Sequence, residues 1–380
     1  MIMGSFCYMA SLTARGGAFT AVQKLSPDAH SRSAFLFDLP RPTLNEGETV
    51  DRELDKRAEG IAQCARLGGR VYFDVHDYPT ELTTGTGLQP IEYLAKRLHQ
   101  NGARCVPVTG TIEDRGRAYV ETVRNIVDAE SVGVCLRIAR DELEEPALLE
   151  SAINATLDAL RITPGKTDLV MNFAFVGDDK PERLRTVTRD ALDAITRIGS
   201  FRNIVLSGTS IPAQLGKRTK GEVLRFRRVE FDVWADVSRM LAGTRGVAFG
   251  DHGIVEIHHA APGKAVNVPS RIRYTTRHDH VIRRAARGDY HLLCRELVNS
   301  KDFMGKNFSV GDQQFATVAM SDAGKFSPGL AVAHDANHHI EFVSGQTWQH
   351  IQECGGERMF AMPKLASRAW MPQLLDIEVR

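Results

Sequence analysis

The chain has 380 residues, 43% of them hydrophobic and 25% charged, a balance typical of a globular protein. Its formal net charge at pH 7 is +1, so overall charge predicts no polyanionic partner. The six cysteines are scattered without a CxxC pair, which favours buried free thiols in a reducing compartment over disulfides. No apolar run approaches about 18 residues, so no membrane span is expected. The N-terminus lacks the basic start of a signal peptide, and a cytoplasmic protein is the default expectation.

Eight short apolar runs, separated by helical patterns, are the main secondary-structure signal. In chain order they cover residues 7–12, 34–37, 70–73, 105–108, 133–136, 169–175, 204–206 and 246–249. The runs are continuous rather than alternating, which is typical of strands buried on both faces of a parallel sheet. Eight strands alternating with helices favour an α/β fold of the (βα)8 TIM-like barrel type. A doubly wound sheet is the alternative if one strand is miscounted.

The residues after the eighth run change in character. A further strand is expected at 272–274 and a short amphipathic helix at 290–297, while 315–319 and 339–343 have strand character. These patterns divide the chain into a barrel over residues 1–284 and a C-terminal extension over residues 285–380. We expect the extension to contain short strands and to pack on the barrel.

Polar residues at the predicted strand ends are the candidate site residues, because the C-terminal strand ends of a (βα)8 barrel meet at one mouth. Asp38, Asp74 and Asp251 follow different strands and are the candidate metal ligands, since carboxylates suit Mg²⁺ or Mn²⁺. Asp74, His76 and Asp251 are the candidate catalytic groups. The candidate substrate-binding residues, which would hold an anionic group, are Arg15, Arg137, Asn172, Ser207 and Ser210. Asp77 and His252 complete the polar set.

Each of these residues also has a structural interpretation. Asp and Ser at strand ends commonly cap the helix that follows. Asp74 and His76 share one face of an extended segment, which suits a metal pair or an acid–base dyad; a solvated loop is the alternative. Ser210 has three alternative interpretations: a nucleophile with His76 or His252 as its base, a hydroxyl that binds phosphate, or a turn residue.

Two groups of basic residues lie in the second half of the chain. The first follows the seventh predicted strand at 217–220 and 225–228, and the second comprises Arg271, Arg273, Arg277, Arg283, Arg284 and Arg287. They could form a local basic rim for a phosphorylated ligand or nucleic acid. Solvated helix faces are the alternative interpretation, because the net charge of the chain is close to zero.

Two pairs of adjacent histidines, His258 with His259 and His338 with His339, are weaker candidates for a metal site. Neighbouring residues of a strand face opposite sides, so both members of a pair rarely bind one ion. The sequence contains no Walker A segment, GxGxxG run or zinc-finger spacing.

Motifs in three parts of the chain occur together in one known family. The first part has Arg15 and Gly17 at a strand end, followed by Ala21-Val-Gln-Lys-Leu-Ser-Pro27. The second has Gly208-Thr-Ser-Ile-Pro212 and Gly250-Asp251, and the third has Phe308-Ser-Val-Gly-Asp312 and His338-His339. Together they resemble the bacteriophage beta protein family, which occurs in phages, prophages and bacterial mobile regions. The resemblance implies a phage- or defence-linked setting and carries over no established reaction.

The chain departs from the family pattern at two positions. Ala18 stands where the family leads us to expect an acidic residue, and Val310 stands where an aromatic residue is common. If those groups are functional in relatives, the corresponding site is altered here.

The sequence supports two main functional hypotheses, and a nucleic-acid binder that uses the basic rim is a third possibility. In the first, the barrel mouth is a metal-dependent hydrolase site, phosphodiesterase-like, acting on a phosphorylated or nucleic-acid-derived substrate. In the second, the chain is a non-catalytic protein that recognises a phage component or a partner subunit. The C-terminal extension would then supply the contact through Phe308, Trp348 and Trp370. A pocket shared by the strand-end residues favours the enzyme.

Overall fold

A computed structural model describes residues 6–44, 49–216, 221–254, 269–320 and 326–360. Eight parallel strands form a closed barrel, in which the last strand pairs with the first. In ring order the strands are β1 Tyr8–Thr13, β2 Ser33–Asp38, β3 Arg70–Asp74, β4 Val106–Thr109, β5 Val134–Ile138, β6 Thr167–Phe175, β7 Asn203–Thr209 and β9 Ala248–Asp251. The predicted (βα)8 barrel is therefore confirmed, and the eight predicted apolar runs coincide with its strands.

The longer helices surround the barrel because each carries an apolar stripe that needs a buried partner. Helix α9, for example, buries Leu184, Leu192 and Ile195. Several helices begin at a proline, whose missing N–H is not needed in the first turn. The helices up to the eighth strand are α1 Gly16–Gln23, α2 Pro27–Arg32, α3 Asp51–Ala65, α4 Pro90–Gln100, α5 Ile112–Arg115, α6 Arg117–Glu130, α7 Arg140–Leu143, α8 Pro146–Leu160, α9 Pro181–Ile198 and α10 Val229–Met240.

A second, antiparallel sheet is added to the barrel. Its strands are β8 Val223–Arg227, β10 Ser270–Thr275 and β11 Asp279–Ala285, in the order β10-β11-β8. The prediction of a strand at 272–274 is confirmed by β10. Strand β8 was not predicted, because its arginines indicate a solvated charge run. In the structure its residues alternate between exposed and half-buried positions. Helices α11 Tyr290–Val298 and α12 Val310–Met320 pack beside this sheet, and α11 confirms the helix predicted at 290–297.

The two strands predicted at 315–319 and 339–343 are wrong, because both segments are helical. The first lies in α12 and the second in α13 Pro328–Glu353. Residues 339–343 are all buried, since α13 is covered on several sides by α1, β10, α12 and α10. A helix buried all round has a continuous apolar-looking run that a short window does not distinguish from a strand.

Helix α13 takes the place of the eighth helix of the barrel. It follows the eighth barrel strand and packs between α1 and α10, with a contact to β1. Strands β10 and β11 of the second sheet, together with α11 and α12, are thus inserted between the last barrel strand and the last barrel helix, whereas β8 lies between β7 and α10. The division of the chain after residue 284 stays a prediction.

All six cysteines are free thiols, and five of them are buried. Within the described residues, no helix has both the length and the apolar character needed to cross a membrane.

Candidate functional site

A cleft of about 770 Å³ opens where the C-terminal strand ends of the barrel meet the inserted sheet. This size suits a small-molecule ligand. The strand ends and the loops after them line it with Arg15, Asp38, His76, Asp77, Asp114, Arg115, Arg137, Asn172 and His252. The insertion and the start of α13 line it with Ser270, Arg271, Arg273, Arg287, Gly288, Tyr290, Phe326 and Pro328.

Two neighbouring carboxylates and two arginines form the base of the cleft. Asp38 and Asp74 lie opposite each other at the ends of β2 and β3. Nη1 of Arg137 lies 2.7 Å from Oδ1 of Asp38 and 3.4 Å from Oδ2 of Asp74. Arg115 donates two hydrogen bonds to Asp74, at 3.0 and 2.9 Å, and a third to Asp114 at 2.8 Å. We call Asp38, Asp74, Asp77, Asp114, Arg115 and Arg137 the acidic floor.

The surroundings separate the pKa values of Asp38 and Asp74. Burial, and the negative charge of Asp74, raise the pKa of Asp38 to about 6, although Arg137 opposes this rise. Burial also favours the neutral form of Asp74, but Arg115 and Arg137 outweigh it and hold the pKa of Asp74 below its usual value. Asp38 is the one that reaches solvent, with 29% of its side chain exposed. Two carboxyl groups separated in this way suit acid–base chemistry, one titrating near neutral pH and one staying ionised.

Three further predicted residues lie at the same cleft. The backbone N–H of His76 donates to Oδ1 of Asp74 at 2.9 Å. Partial desolvation of the ring, together with the Arg115 cation, lowers the pKa of His76. Nε2 of His252 lies 3.0 Å from Oδ1 of Asn172, so this ring nitrogen donates the hydrogen bond. His76, Asn172 and His252 therefore line the same cleft as the acidic floor.

Asp251 does not line the cleft, although it follows a barrel strand. Its carboxylate accepts hydrogen bonds from Tyr8 Oη at 2.7 Å and from His339 Nε2 at 3.0 Å. The group is buried between the barrel and α13, with His339 supplied by that helix. The geometry gives Asp251 a role in attaching α13 and no contact with a ligand in the cleft.

Ser207 and Ser210 are also absent from the cleft lining. Ser207 is buried within β7, where it lies opposite Asn172 and Gly250. Ser210 accepts a hydrogen bond from the backbone N–H of Val229 at 3.1 Å and donates one to Glu230. This is the capping interpretation, since Val229 begins α10.

The predicted metal ligands do not form a common site. Asp38 and Asp74 share Arg137, whereas Asp251 is bound by Tyr8 and His339. Two guanidinium groups already occupy the oxygens of Asp74, and their charge would repel a divalent cation. No group of three His, Cys, Asp or Glu side chains suited to a metal occurs in the described part of the chain. The residues present therefore do not fit Mg²⁺ or Mn²⁺.

The two adjacent histidines of α13 contact different carboxylates. His338 Nδ1 lies 2.8 Å from Oδ2 of Asp312, and its Nε2 lies 2.9 Å from the carbonyl oxygen of Thr275. His339 binds Asp251. The Gly-Asp and His-His motifs noted in the sequence thus meet inside the fold. His258 and His259 lie outside the described residues.

The predicted basic rim is split by burial and ion pairing. Arg283 lies 3.1 Å from Asp302, and Arg284 lies 2.9 Å from Glu222. Arg271, Arg273 and Arg287 line the cleft, and Arg273 is also largely buried and lies 3.4 Å from Asp335. Residues 217–220 of the first basic group lie outside the described residues.

Asp114 and Arg115 are site residues that the sequence analysis missed. Both lie in α5, which directly follows the loop after β4, and no candidate was taken from that strand end. The rule that strand-end loops carry the site would have included them.

The fold and the cleft define an (βα)8-barrel protein with an antiparallel sheet inserted beside the barrel mouth. The family model described as Beta protein matches residues 8–345, and the chain belongs to the Beta protein family. A comparison with curated proteins found no match. Among solved structures, a mutant structure in complex with xylotriose is 10% identical and covers 65% of this chain and 84% of its own, with a TM-score of 0.34. At that score the likeness carries no argument about function.

Proposed function

We propose that the cleft is the active site of an acid–base hydrolase acting on an anionic, phosphorylated small molecule, with Asp38 as the general base. One observation carries the proposal: Asp38 reaches the cleft beside the buried, ionised Asp74, with Arg137 bridging the two carboxylates. Titratable pairs with separated pKa values are a common feature of acid–base active sites. The arginines that line the cleft support an anionic substrate.

Four residues of the floor, the two carboxylates Asp38 and Asp74 and the two arginines Arg115 and Arg137, have a role in this proposal. At pH 7 Asp38 is mostly ionised, because its pKa is about 6. It accepts a proton from a water molecule whose oxygen attacks the substrate, and returns that proton to the leaving group. Asp74 stays ionised between Arg115 and Arg137, and so fixes the guanidinium that orients Asp38.

The first prediction concerns Asp38→Asn, which keeps the shape of the side chain and removes its basicity. Incubating the wild type with a deproteinised bacterial extract should consume a phosphorylated compound, detected by mass spectrometry. We expect Asp38→Asn to slow that consumption about 100-fold or more, as loss of a general base does. The wild-type rate should rise with pH through about 6, where Asp38 loses its proton.

The matched control is Asp55→Asn. Asp55 also pairs with an arginine, Arg97 at 2.6 Å, but it lies on the surface away from the cleft. This variant should turn over at the wild-type rate. Equal consumption by the wild type and a folded Asp38→Asn variant would contradict the proposal.

A non-catalytic binding protein is the second candidate. It is favoured by the ion pairs of Asp74, because Arg115 donates to both oxygens of this carboxylate and holds it in place. Phe308 and Trp348 are partly buried against the barrel core and Trp370 lies outside the described residues, so a contact through these aromatics has little support. Capture of one phage component or partner subunit by a protein that consumes no compound would favour this candidate.

Both candidate functions are compatible with the phage- or defence-linked setting and with the cytoplasmic location that the sequence led us to expect. Phage challenge of cells with and without the protein tests the first, and cell fractionation tests the second.

A further inference from the structure

A second, smaller cavity lies at the opposite end of the barrel from the cleft, between the starts of β7 and β9. Its volume is about 80 Å³. The loop before β7 lines it with Ser200 and Arg202, and the loop before β9 lines it with Thr244 and Arg245. We call these four residues the basal site. A cavity of this size holds a few water molecules or one small ion, whereas pockets for larger ligands measure about 300 Å³ or more.

Arg245 carries a positive charge that the protein leaves unpaired. Its Nη1 is buried, yet its guanidinium has no hydrogen-bond or ion-pair partner among the described residues. Burial lowers the pKa of Arg245, and no carboxylate in the described part of the chain opposes this effect. Nearly all buried donors in proteins are paired, and an unpaired charged donor costs more than a neutral one. The surroundings of Arg245 therefore favour a bound anion.

Arg202 adds positive charge to the same cavity. Its Nε and Nη2 donate to Asp168 at 2.8 and 2.6 Å, and its Nη1 donates to the carbonyl oxygen of Val132 at 3.1 Å. Asp168 also accepts from Arg70 at 3.3 Å, so one carboxylate already serves two guanidinium groups. The nearest buried carboxylate of this network is thus committed to other cations, and Arg245 stays without a counter-charge.

The two hydroxyl groups of the basal site differ in what they offer a ligand. Ser200 is exposed and its hydroxyl makes no hydrogen bond within the described ranges, so it can donate to an anion. The hydroxyl of Thr244 donates to the carbonyl oxygen of Leu241 at 2.7 Å, so towards the cavity it can only accept. An acceptor beside several donors suits an anion that keeps a proton at neutral pH. Phosphate does so and sulfate does not.

We infer that the basal site binds inorganic phosphate, with Arg245 as the main charged donor and Ser200 as a second donor. Such an ion would join the loop before β7 to the loop before β9, which lead into two strands that pair in the barrel. This inference does not depend on the proposed function of the cleft. A ligand that binds only the folded state stabilises it in proportion to the logarithm of its concentration. The stability of the barrel then depends on phosphate.

Thermal unfolding in potassium phosphate tests this inference, with potassium chloride at the same ionic strength as the reference. The Tm of the wild type should rise by about 2 °C or more in phosphate, and by less in sulfate. Arg245→Gln should lose this rise and bind phosphate about tenfold or more weakly in isothermal titration calorimetry. In chloride it should unfold at the wild-type temperature or above it, because it removes a buried charge that has no partner.

Three further variants complete the experiment. Ser200→Ala changes an exposed position, and should weaken phosphate binding about threefold while the Tm in chloride stays the same. Arg189→Gln removes an exposed arginine of α9 and is the matched control, with wild-type binding expected. Arg15→Gln removes an arginine of the cleft and should keep the phosphate-dependent rise in Tm.

The outcomes distinguish the basal site from the cleft. A rise in Tm that Arg245→Gln keeps, or that Arg15→Gln removes, would place the phosphate elsewhere and overturn the inference. Equal Tm values in phosphate and in chloride would overturn it as well, and an equal response to sulfate would contradict the assignment to phosphate. If Arg245→Gln and Ser200→Ala both weaken binding while no compound is consumed in the cleft, the hydrolase fails and the basal site stands.

Discussion

Residues at the ends of different barrel strands, with similar sequence contexts, make different contacts in this fold. Asp74 and Asp251 each end a barrel strand, yet Asp74 lies at the base of the cleft between two arginines and Asp251 faces α13. Successive side chains of a strand alternate between its two faces, so a shift of one residue exchanges cleft for helix contact. The sequence predicted Asp38, His76 and Arg137 at the mouth, and the structure places all three there.

At this scale, Asp335 allows a prediction about stability and pH. Its pKa is raised to about 7 by burial, whereas an Asp in the unfolded chain titrates near pH 4. The folded state therefore holds the extra proton between those values, and its stability falls as pH rises from about 4 to 7. We expect the wild type to lose a few kcal/mol relative to Asp335→Asn across this range.

Urea unfolding of both proteins at pH 5, 6, 7 and 8 measures this difference. Asp190→Asn, which changes an exposed carboxylate of α9, is the control and should give a curve parallel to the wild type. A difference between the wild type and Asp335→Asn that stays constant with pH would contradict the expected titration.

Among the elements, α13 connects the barrel to the insertion through polar contacts. Asn337 donates to the carbonyl of Ala21 in α1 at 3.1 Å, and its Oδ1 accepts the N–H of Gly311 in α12 at 2.8 Å. Glu341 accepts from Ser26, the N-cap of α2. Ala21 and Ser26 lie 316 and 315 positions before their partners in α13, so no local sequence pattern indicates these contacts.

The close approach of α12 and α13 depends on Gly311. A Cβ at this position would lie closer than van der Waals contact to the backbone carbonyl oxygen of His334, and backbone cannot rotate away as a side chain can. We expect Gly311→Ala to lower the free energy of unfolding by about 1–3 kcal/mol, measured by urea denaturation.

Gly329→Ala in α13 is the matched control for this substitution. A Cβ there meets nothing closer than 4.0 Å, so the variant should be as stable as the wild type or gain up to about 1 kcal/mol. Equal stability of Gly311→Ala and Gly329→Ala would show that α12 and α13 do not need this contact.

Across the whole molecule, a buried ion-pair network closes the N-terminal end of the barrel. Asp168 of β6 accepts from Arg202 at 2.8 and 2.6 Å, from Tyr72 of β3 at 2.7 Å and from Asn203 of β7 at 2.6 Å. Arg70 adds a contact at 3.3 Å. One carboxylate thus joins three barrel strands at the end opposite the cleft, where stability rather than chemistry is expected.

We therefore expect Asp168→Asn to destabilise the protein by about 2–4 kcal/mol, because the partly buried Arg70 and Arg202 would lose their fully buried counter-charge. Thermal and urea unfolding measure the loss. Asp158→Asn, an exposed residue of α8, should change stability by less than about 0.5 kcal/mol. A loss for Asp168→Asn as small as that of Asp158→Asn would rule out a stabilising role for the network.

The barrel could be predicted from the amino-acid sequence, because continuous apolar strands and amphipathic helices are local patterns that each segment carries alone. It also identified the mouth and several of its residues, since the strand ends of a barrel converge on one side. The three-dimensional arrangement was needed to show which of these residues share the cleft, that α12 and α13 are helices, and that Arg271 and Arg287 line the cleft. These features depend on contacts such as Arg137 with Asp38, 99 positions apart, and on strand register, neither of which a local pattern contains.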